Sequence, residues 1–408
     1  MNIKIILNQP YPHGMACTNR IHHYAKGLQE QGHHVEIIVP IPLENPTDVK
    51  NKAAMGQYQG VNFRYAGGTP VRSESFIGRR LHDILSPLKA AVYLRKESPD
   101  AILLVSTYLY HILLFKLVAL SISAVYLNER SEFPFVFKKK KGLLYALYKK
   151  LYNQFAHHCF DGIIVISDSL RTYYTQHVGR ATRLLLVPII VDAEEFSRQV
   201  PAVNDSYLVY AGNLSAMKDG VNTLIDAFRI VHRQFPKVKL YLVGGGHDAD
   251  RRKVEKQIEK YQLQEHVLLT GYVTREQLIE YLTGAKALVL AKPNNQQASF
   301  CFPSKLGEYL ATGNPVITTS VGEIPAYLTD GHSAFLAQAD NAEDFSIKII
   351  ETLDNPLRAL EVGKQGRETA RAKFDYRKQG ENLSEFIHTL SSAEQNNKKA
   401  NYQNGFSD

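Results

Sequence analysis

Short apolar runs alternate with longer amphipathic stretches along the whole chain. In the first half, Ile3–Leu7, Val35–Pro40, Ala101–Ser106, Val125–Leu127 and Gly162–Ile166 read as buried strands. Thr18–Gln31, between the first two, has helical spacing. The second half repeats this logic. Tyr207–Tyr210 is a strand, followed by a turn at Gly212–Asn213. Gly220–Phe235 is a helix with Val221, Leu224, Ile225, Phe228 and Val231 on one face. Lys239–Val243, Val267–Thr270, Ala287–Ala291 and Pro315–Thr318 are further strands. Strands alternating with helices predict an α/β fold with parallel sheets covered on both faces. Two such series predict two Rossmann-like domains, residues 1–200 and 201–375, joined within the polar, Pro201-containing stretch Asp192–Ser206. A last helix over Tyr376–Leu390 is expected to cross back to the first domain. Residues 391–408 are polar and expected to be disordered.

Bulk properties narrow this picture. The 408 residues suffice for two cores. Ala101–Leu127 is largely apolar, but His111 and Lys116 interrupt it. It divides into strand, helix and strand rather than a membrane span. The opening MNIKIILNQP lacks the features of a signal peptide, so a cytoplasmic location is expected. Cys17, Cys159 and Cys301 are odd in number and far apart, and support neither a disulfide framework nor a metal site. Residues 1–200 hold 24 Lys/Arg against 15 Asp/Glu, whereas residues 201–408 hold 24 against 25. The basic excess lies wholly in the first half and suggests an anionic partner there, such as a membrane surface or a phosphorylated acceptor. No zinc finger or RNA-binding signature accompanies it, and nucleic acid is not an expected partner.

Candidate chemistry concentrates in FCFPSKLGEYLATGNPVITTSVGEIP, residues 300–325. This reads as a loop, a helix opening at Pro303 or Ser304, and a strand. A helix N-terminus presents unpaired N–H groups and a positive dipole end, which suit a diphosphate. Lys305 adds a cation, and Glu308, one turn on, suits ribose hydroxyls. The alternative is that both decorate a surface helix. Asn128–Glu132 follows a strand, so Glu129 and Arg130 belong outside a strand end, where open α/β sheets bind ligands. A salt-bridged loop is the other reading, and Arg20 on the first helix is similar. Asp248 and Asp250 spell the Asp-x-Asp of metal-dependent transferases of another fold, but open a helix and suit its dipole. No metal is expected. Lys138–Lys141 precede Leu143, Leu144, Leu147, Leu151 and Phe155 at helical spacing, with Lys149 and Lys150 nearby. This is either a basic amphipathic membrane contact or a packed helix with a solvated lysine run.

FPSKLGEYLATGNPVI resembles the donor-site signature of retaining family-four glycosyltransferases of the GT-B fold. YAGNLSAMKDGVNTLIDAF (210–228), LYLVGGG (240–246), LTGYV (269–273) and VGEIPAYLTDG (321–331) fall in the expected order. In the first half, HGMACTNRIHHYAKGLQEQGHHVEIIV (13–39), DGIIVISDSL (161–170) and VPIIVDAEEF (187–196) also match. The resemblance covers nearly the whole chain and implies two Rossmann-like domains facing across a cleft. It implies transfer of a sugar, without cofactor or metal, from a nucleotide-diphosphate-sugar donor to a glycan or lipid-linked acceptor. The setting it implies is bacterial cell-surface polysaccharide or lipopolysaccharide assembly, on the inner face of the membrane. By position, Lys218 matches the basic residue that grips the diphosphate, and Glu308 the glutamate that binds ribose. The backbone around Phe302, Pro303 and Ser304 meets phosphate or sugar. Gly212, Asn213 and Lys305 complete the donor set, and Gly14 matches the N-domain glycine loop. The reaction is substrate-assisted, so no catalytic side chain is assigned; His111 is the nearest candidate for the family's sugar-side histidine. Two departures stand out. Phe300 occupies the place of the family's first glutamate, and Asn213 that of a frequent arginine. Phe300 leaves open a catalytically silent sugar-nucleotide-binding subunit, and the fold also serves sugar-nucleotide epimerases and hydrolases.

Overall fold

The computed structural model describes residues 1–133, 142–179, 181–196 and 206–404. The chain forms two compact units, Met1–Pro188 with Tyr376–Asp408, and Ile189–Asp375. The division falls just ahead of the 192–206 stretch and again after Asp375.

In the first unit, the strands are β1 (Asn2–Leu7), β2 (His34–Val39), β3 (Met55–Tyr58), β4 (Val61–Tyr65), β5 (Ala101–Val105), β6 (Val125–Arg130), β7 (Gly162–Val165) and β8 (Arg183–Leu186). They form one sheet in the order β3-β4-β2-β1-β5-β6-β7-β8. Every neighbouring pair is parallel except β3 with β4. Residues Ile3–Leu7 and Ala101–Leu104 are fully buried or nearly so. Such near-continuous apolar strands are what a parallel sheet with helices on both faces requires.

The second unit holds β9 (Tyr207–Ala211), β10 (Lys239–Val243), β11 (Val267–Gly271), β12 (Ala287–Leu290), β13 (Val316–Thr319) and β14 (Phe335–Ala337). The order is β11-β10-β9-β12-β13-β14, and all pairs are parallel. The helix Val221–Gln234 lays Val221, Leu224, Ile225, Phe228 and Val231 into the core. That is the face its periodicity predicts.

Both sheets reverse direction once. In the first, the chain runs outward from β1 to β2 and then restarts at β5 on the other side of β1. In the second, it runs from β9 through β11 and restarts at β12. The loops leaving β1 and β5, and those leaving β9 and β12, therefore diverge. Ligands of open α/β sheets bind in the crevice this creates at the strands' carboxyl ends.

The apolar stretch Ala101–Leu127 is β5, a helix Leu109–Ile122 and the start of β6. Among the described residues no helix is long and apolar enough to cross a membrane. The helix Asp248–Lys260 carries both aspartates in its first turn, where they complement the dipole without a side-chain cap bond from His247. The final helix runs Tyr376–Asn404.

The final helix packs on the first helix, Ala16–Glu30, within the first unit. Two glycines set how close they come. A Cβ on Gly27 would lie 2.5 Å from the Tyr376 carbonyl oxygen, and one on Gly380 2.4 Å from the Gly27 carbonyl carbon. Both obstacles are backbone and cannot swing aside. Gly380→Ala is therefore expected to lower stability by about 1–3 kcal/mol, the usual cost of overpacking, as read from a denaturant melt. An unchanged melt would contradict the close contact.

Candidate functional site

The reversal point of the second sheet collects charge. β9 ends at Ala211 and leads through Gly212 to the short helix Ala216–Asp219. β12 ends at Leu290, and Lys292 follows. Asp219, from the first loop, lies 3.3 Å from Lys292 of the second and 2.7 Å from Lys305. Lys305 opens the helix Lys305–Thr312. The Tyr210 hydroxyl donates to Asp219 Oδ2 at 2.8 Å and accepts from Lys305 Nζ at 3.2 Å. Lys292 Nζ also donates to the Lys218 carbonyl.

Asp219 is 8% exposed. Burial alone would raise its pKa, but Lys305 and Lys292 outweigh burial and hold it below the ordinary carboxylate value. Burial lowers the Lys305 pKa, and Asp219 opposes that shift. One carboxylate facing two ammonium groups leaves net positive charge at the strand ends. Gly212 is indispensable there. Its φ is 152°, and a Cβ would sit 2.0 Å from Lys305 Nζ. Any side chain would displace the ammonium.

Lys218 itself is exposed on the short helix, next to Asp219, with its backbone N–H on Ser215 Oγ. The Asn213 carbonyl oxygen lies 2.5 Å from the same Tyr210 hydroxyl and shares its one proton with Asp219. The Gly212 and Leu214 N–H groups bond the Val243 and Gly245 carbonyls, both at 2.8 Å, which fastens this loop to the Gly244–Gly246 turn. The helix opens at Lys305 behind Ser304, whose hydroxyl caps nothing. Pro303 precedes it and is half-buried. The Phe302 ring is 3% exposed, stacked on Tyr327 at 5.1 Å and edge-on to Phe374. Only its backbone is available to a ligand. Phe300 ends the short helix Gln296–Phe300.

Glu308, one turn after Lys305, accepts from Arg275 Nη1 at 2.7 Å. Arg275 also makes a two-pronged pair with Glu195, at 3.0 and 2.6 Å. Its guanidinium lies over the Phe196 ring. The proposed ribose carboxylate is thus clamped from one side by an arginine that a second carboxylate holds.

The first unit treats its candidates differently. Gly14 lies in the loop after β1, where a Cβ would collide with Thr18 Oγ1 at 1.9 Å and the Pro10 carbonyl at 2.6 Å. His111, after β5, is 3% exposed, with Nδ1 3.1 Å from Ser106 Oγ. Burial lowers its pKa to about 4, so it is neutral at physiological pH. Arg20 is an internal strut. It donates to Glu129 at 2.9 Å and to the carbonyls of Pro188 and Val187 at 2.5 and 2.6 Å. Arg130 is 2% exposed and donates to the Tyr152 hydroxyl at 2.7 Å. All three acceptor candidates, Arg20, Glu129 and Arg130, are buried, at 5%, 4% and 2% exposure. Lys138–Lys141 lie outside the described residues.

Asp219 and Glu195 lie within the quoted stretches 210–228 and 187–196 without being picked out as site residues, and Lys292 and Arg275 lie in none of the quoted motifs. Lys292 has a signal, since it directly follows the apolar run Ala287–Ala291 and so stands at a strand's carboxyl end. Asp219 has only its place beside Lys218. Glu195 and Arg275 give none, being 80 residues apart.

Asp219→Asn removes the charge that holds both lysines. It is expected to cost about 3 kcal/mol at neutral pH, because breaking a buried pair strands the partner's charge. The Asp219 pKa is lower folded than unfolded. Its stabilisation is therefore complete above an unfolded pKa of about 4 and lost as pH falls through the lower folded value. The wild type should thus lose stability in acid more steeply than the variant. Denaturant melts at neutral and acid pH check both statements, and parallel acid limbs would contradict the assignment.

Known proteins share this architecture. A family model described as glycosyl transferases group 1 matches residues 192–369, and one described as Glycosyltransferase Family 4 matches residues 18–195. A GDP-mannose-dependent alpha-(1-6)-phosphatidylinositol monomannoside mannosyltransferase of Mycolicibacterium smegmatis is 24% identical over 240 residues, 56% of this chain and 62% of that protein. The chain spans less than two thirds of the length of the first curated relatives it matches. Sucrose-phosphate synthase of Thermosynechococcus elongatus superposes with a TM-score of 0.72 at 19% identity, covering 96% of this chain and 99% of that one. The Anabaena protein HepE in complex with UDP-glucose gives 0.69 at 14% identity, covering 95% and 100%. With matched sequence from residue 18 to 369 and this sheet topology, the chain belongs to the glycosyl transferases group 1 family and has the GT-B fold.

Proposed function

We propose that the protein transfers a sugar, with retention of anomeric configuration, from a nucleotide-diphosphate sugar to a glycan or lipid-linked acceptor. The observation that carries this reading is the cationic cluster at the reversal point of the second sheet. Lys305 and Lys292 are fixed by Asp219, Lys218 stands beside them, and Glu308 lies one turn along the same helix. A diphosphate meets the ammonium groups and the N-terminus of Lys305–Thr312, and the ribose hydroxyls meet Glu308. The family membership supports the same assignment. Its relatives include a GDP-mannose-dependent enzyme, and one neighbour was solved with UDP-glucose.

In this mechanism the enzyme stabilises the leaving diphosphate and positions the acceptor. The acceptor hydroxyl attacks the anomeric carbon on the face the diphosphate leaves. A donor phosphate oxygen takes its proton, so no side-chain nucleophile is needed. Phe300 stands where the family resemblance implies a glutamate that contacts the transferred sugar. The family's setting favours assembly of bacterial cell-surface polysaccharide or lipopolysaccharide in the cytoplasm, at the inner membrane face.

Phe300 also supports a second reading, a silent subunit that binds sugar nucleotides without turnover. A panel of nucleotide sugars read by thermal shift separates the readings, since a ligand raises apparent stability by mass action. We expect at least one donor to raise Tm, and Lys305→Ala to weaken its binding severalfold. Product analysis with an acceptor then shows an α-linked product from an α-linked donor. Binding without turnover would favour the silent subunit. Hydrolysis or epimerisation of donor alone would favour a different reaction, and no Tm change with any nucleotide sugar would remove the donor assignment.

A further inference from the structure

The helix Lys305–Thr312 carries two charge clusters of opposite sign in its first turn. At Lys305, one carboxylate faces two ammonium groups, which leaves one positive charge. At Glu308, one guanidinium faces two carboxylates, which leaves one negative charge. The first cluster suits phosphate oxygens. The second suits groups that donate hydrogen bonds.

Arg275 is held at both ends. It opens the helix Arg275–Thr283, whose start is a capping box. Thr274 Oγ1 accepts from the Gln277 N–H at 3.3 Å, and Gln277 Oε1 accepts from the Thr274 N–H at 3.0 Å. The guanidinium lies 5.3 Å from the centre of the Phe196 ring, which is buried at the end of the single turn Ala193–Phe196. The same turn supplies Glu195, which accepts from Nε and Nη2 at 3.0 and 2.6 Å. That pairing leaves Nη1 to reach Glu308 at 2.7 Å. Burial would lower the Arg275 pKa, but Glu308 and Glu195 outweigh burial and raise it, so the group stays charged.

Glu308 is oriented in turn. It gives Arg275 only Oε1, and among the described residues Oε2 accepts no hydrogen bond. A free glutamate must give up rotamers when it binds a ligand, whereas one already docked on an arginine has given them up beforehand. The pair also keeps Glu308 off Lys305, the one cation of its own helix. Residues three apart share a helix face, and the Glu308 charge is close enough to oppose the lowering of the Lys305 pKa. Without Arg275, Glu308 would be drawn to Lys305, away from any ribose and onto the charge a diphosphate needs.

We propose that Arg275, anchored by Glu195, is a positioning residue for Glu308, and that this relay makes the site selective for ribose over deoxyribose. The inference rests on the assignment of Glu308 to the donor's ribose made above. A hydroxyl that meets a preset carboxylate gains a charge-assisted hydrogen bond, and a deoxynucleotide leaves that carboxylate unmatched. Arg275 and Glu195 act only through where Glu308 stands. An ion-pair network that merely ties the turn Ala193–Phe196 to the helix Lys305–Thr312 would make the same bonds. It would change stability and not the choice of sugar.

The test is isothermal titration calorimetry of the full chain with UDP, GDP, ADP and CDP, each beside its 2′-deoxy and 3′-deoxy forms. The wild type is expected to bind at least one ribonucleotide at least about tenfold more tightly than one of its deoxy forms. Glu308→Ala is expected to bring that ratio close to one. Arg275→Ala is expected to lower it about three- to tenfold, and Glu195→Ala to lower it in the same direction. Arg275→Lys is expected to keep part of it, since an ammonium still pairs with Glu308. Binding of the deoxy form reports that each variant is folded. Equal losses for ribo and deoxy forms in Arg275→Ala, with the ratio unchanged, overturn the proposal and leave Arg275 a structural tie. Should Arg275→Ala not fold, an unchanged ratio in Glu195→Ala does the same. A wild-type ratio near one, or one that Glu308→Ala leaves unchanged, overturns the ribose assignment itself and this inference with it. A wild type that binds none of these nucleotides removes the donor reading as a whole.

Discussion

The candidate donor site depends on a single carboxylate holding two ammonium groups. At separations near 3 Å and an effective dielectric of about 20, each attraction is on the order of 5 kcal/mol. Removing three charges from water costs several kcal/mol each. The terms nearly cancel, so the cluster adds little net stability. What it adds is position. Asp219 pins Lys305 over Gly212 through Oδ2, which the Tyr210 hydroxyl also bonds, and Lys292 holds the other oxygen, Oδ1. The result is net positive charge at a fixed place beside a helix N-terminus, where an anion replaces the lost hydration.

The first turn of Lys305–Thr312 serves two partners. Lys305 reaches back to Asp219, while Glu308, three residues on, reaches Arg275. Residues three apart share a helix face, so cation and carboxylate address the same space from one rigid element. The Tyr309 hydroxyl accepts from the Ala211 N–H at 2.6 Å and ties the same helix to the end of β9. Helix, strand end and loop are thus held in one arrangement by hydrogen bonds that do not involve the ligand.

Much of this is legible in the sequence. Apolar runs and helical spacing locate the sheet strands, since parallel strands buried on both faces leave that signature. Lys305 and Glu308 are legible because they sit in one continuous motif. The Asp219–Lys292 and Arg275–Glu195 pairs are not, because each joins segments far apart in sequence; for the first pair, the neighbouring of β9 and β12 in the sheet brings the two loops together. Glu129, Arg130 and Arg20 illustrate the converse. The place of the first two at a strand end follows from the local pattern, but the burial of all three depends on elements no local pattern describes.

The most direct test of the central claim is a crystal structure of the full chain with a bound nucleoside diphosphate. The account predicts phosphate oxygens about 3 Å from Lys305 or Lys218 and at the N-terminus of Lys305–Thr312, with ribose hydroxyls on Glu308. A nucleotide bound elsewhere, with Asp219 and its two lysines untouched, would contradict it.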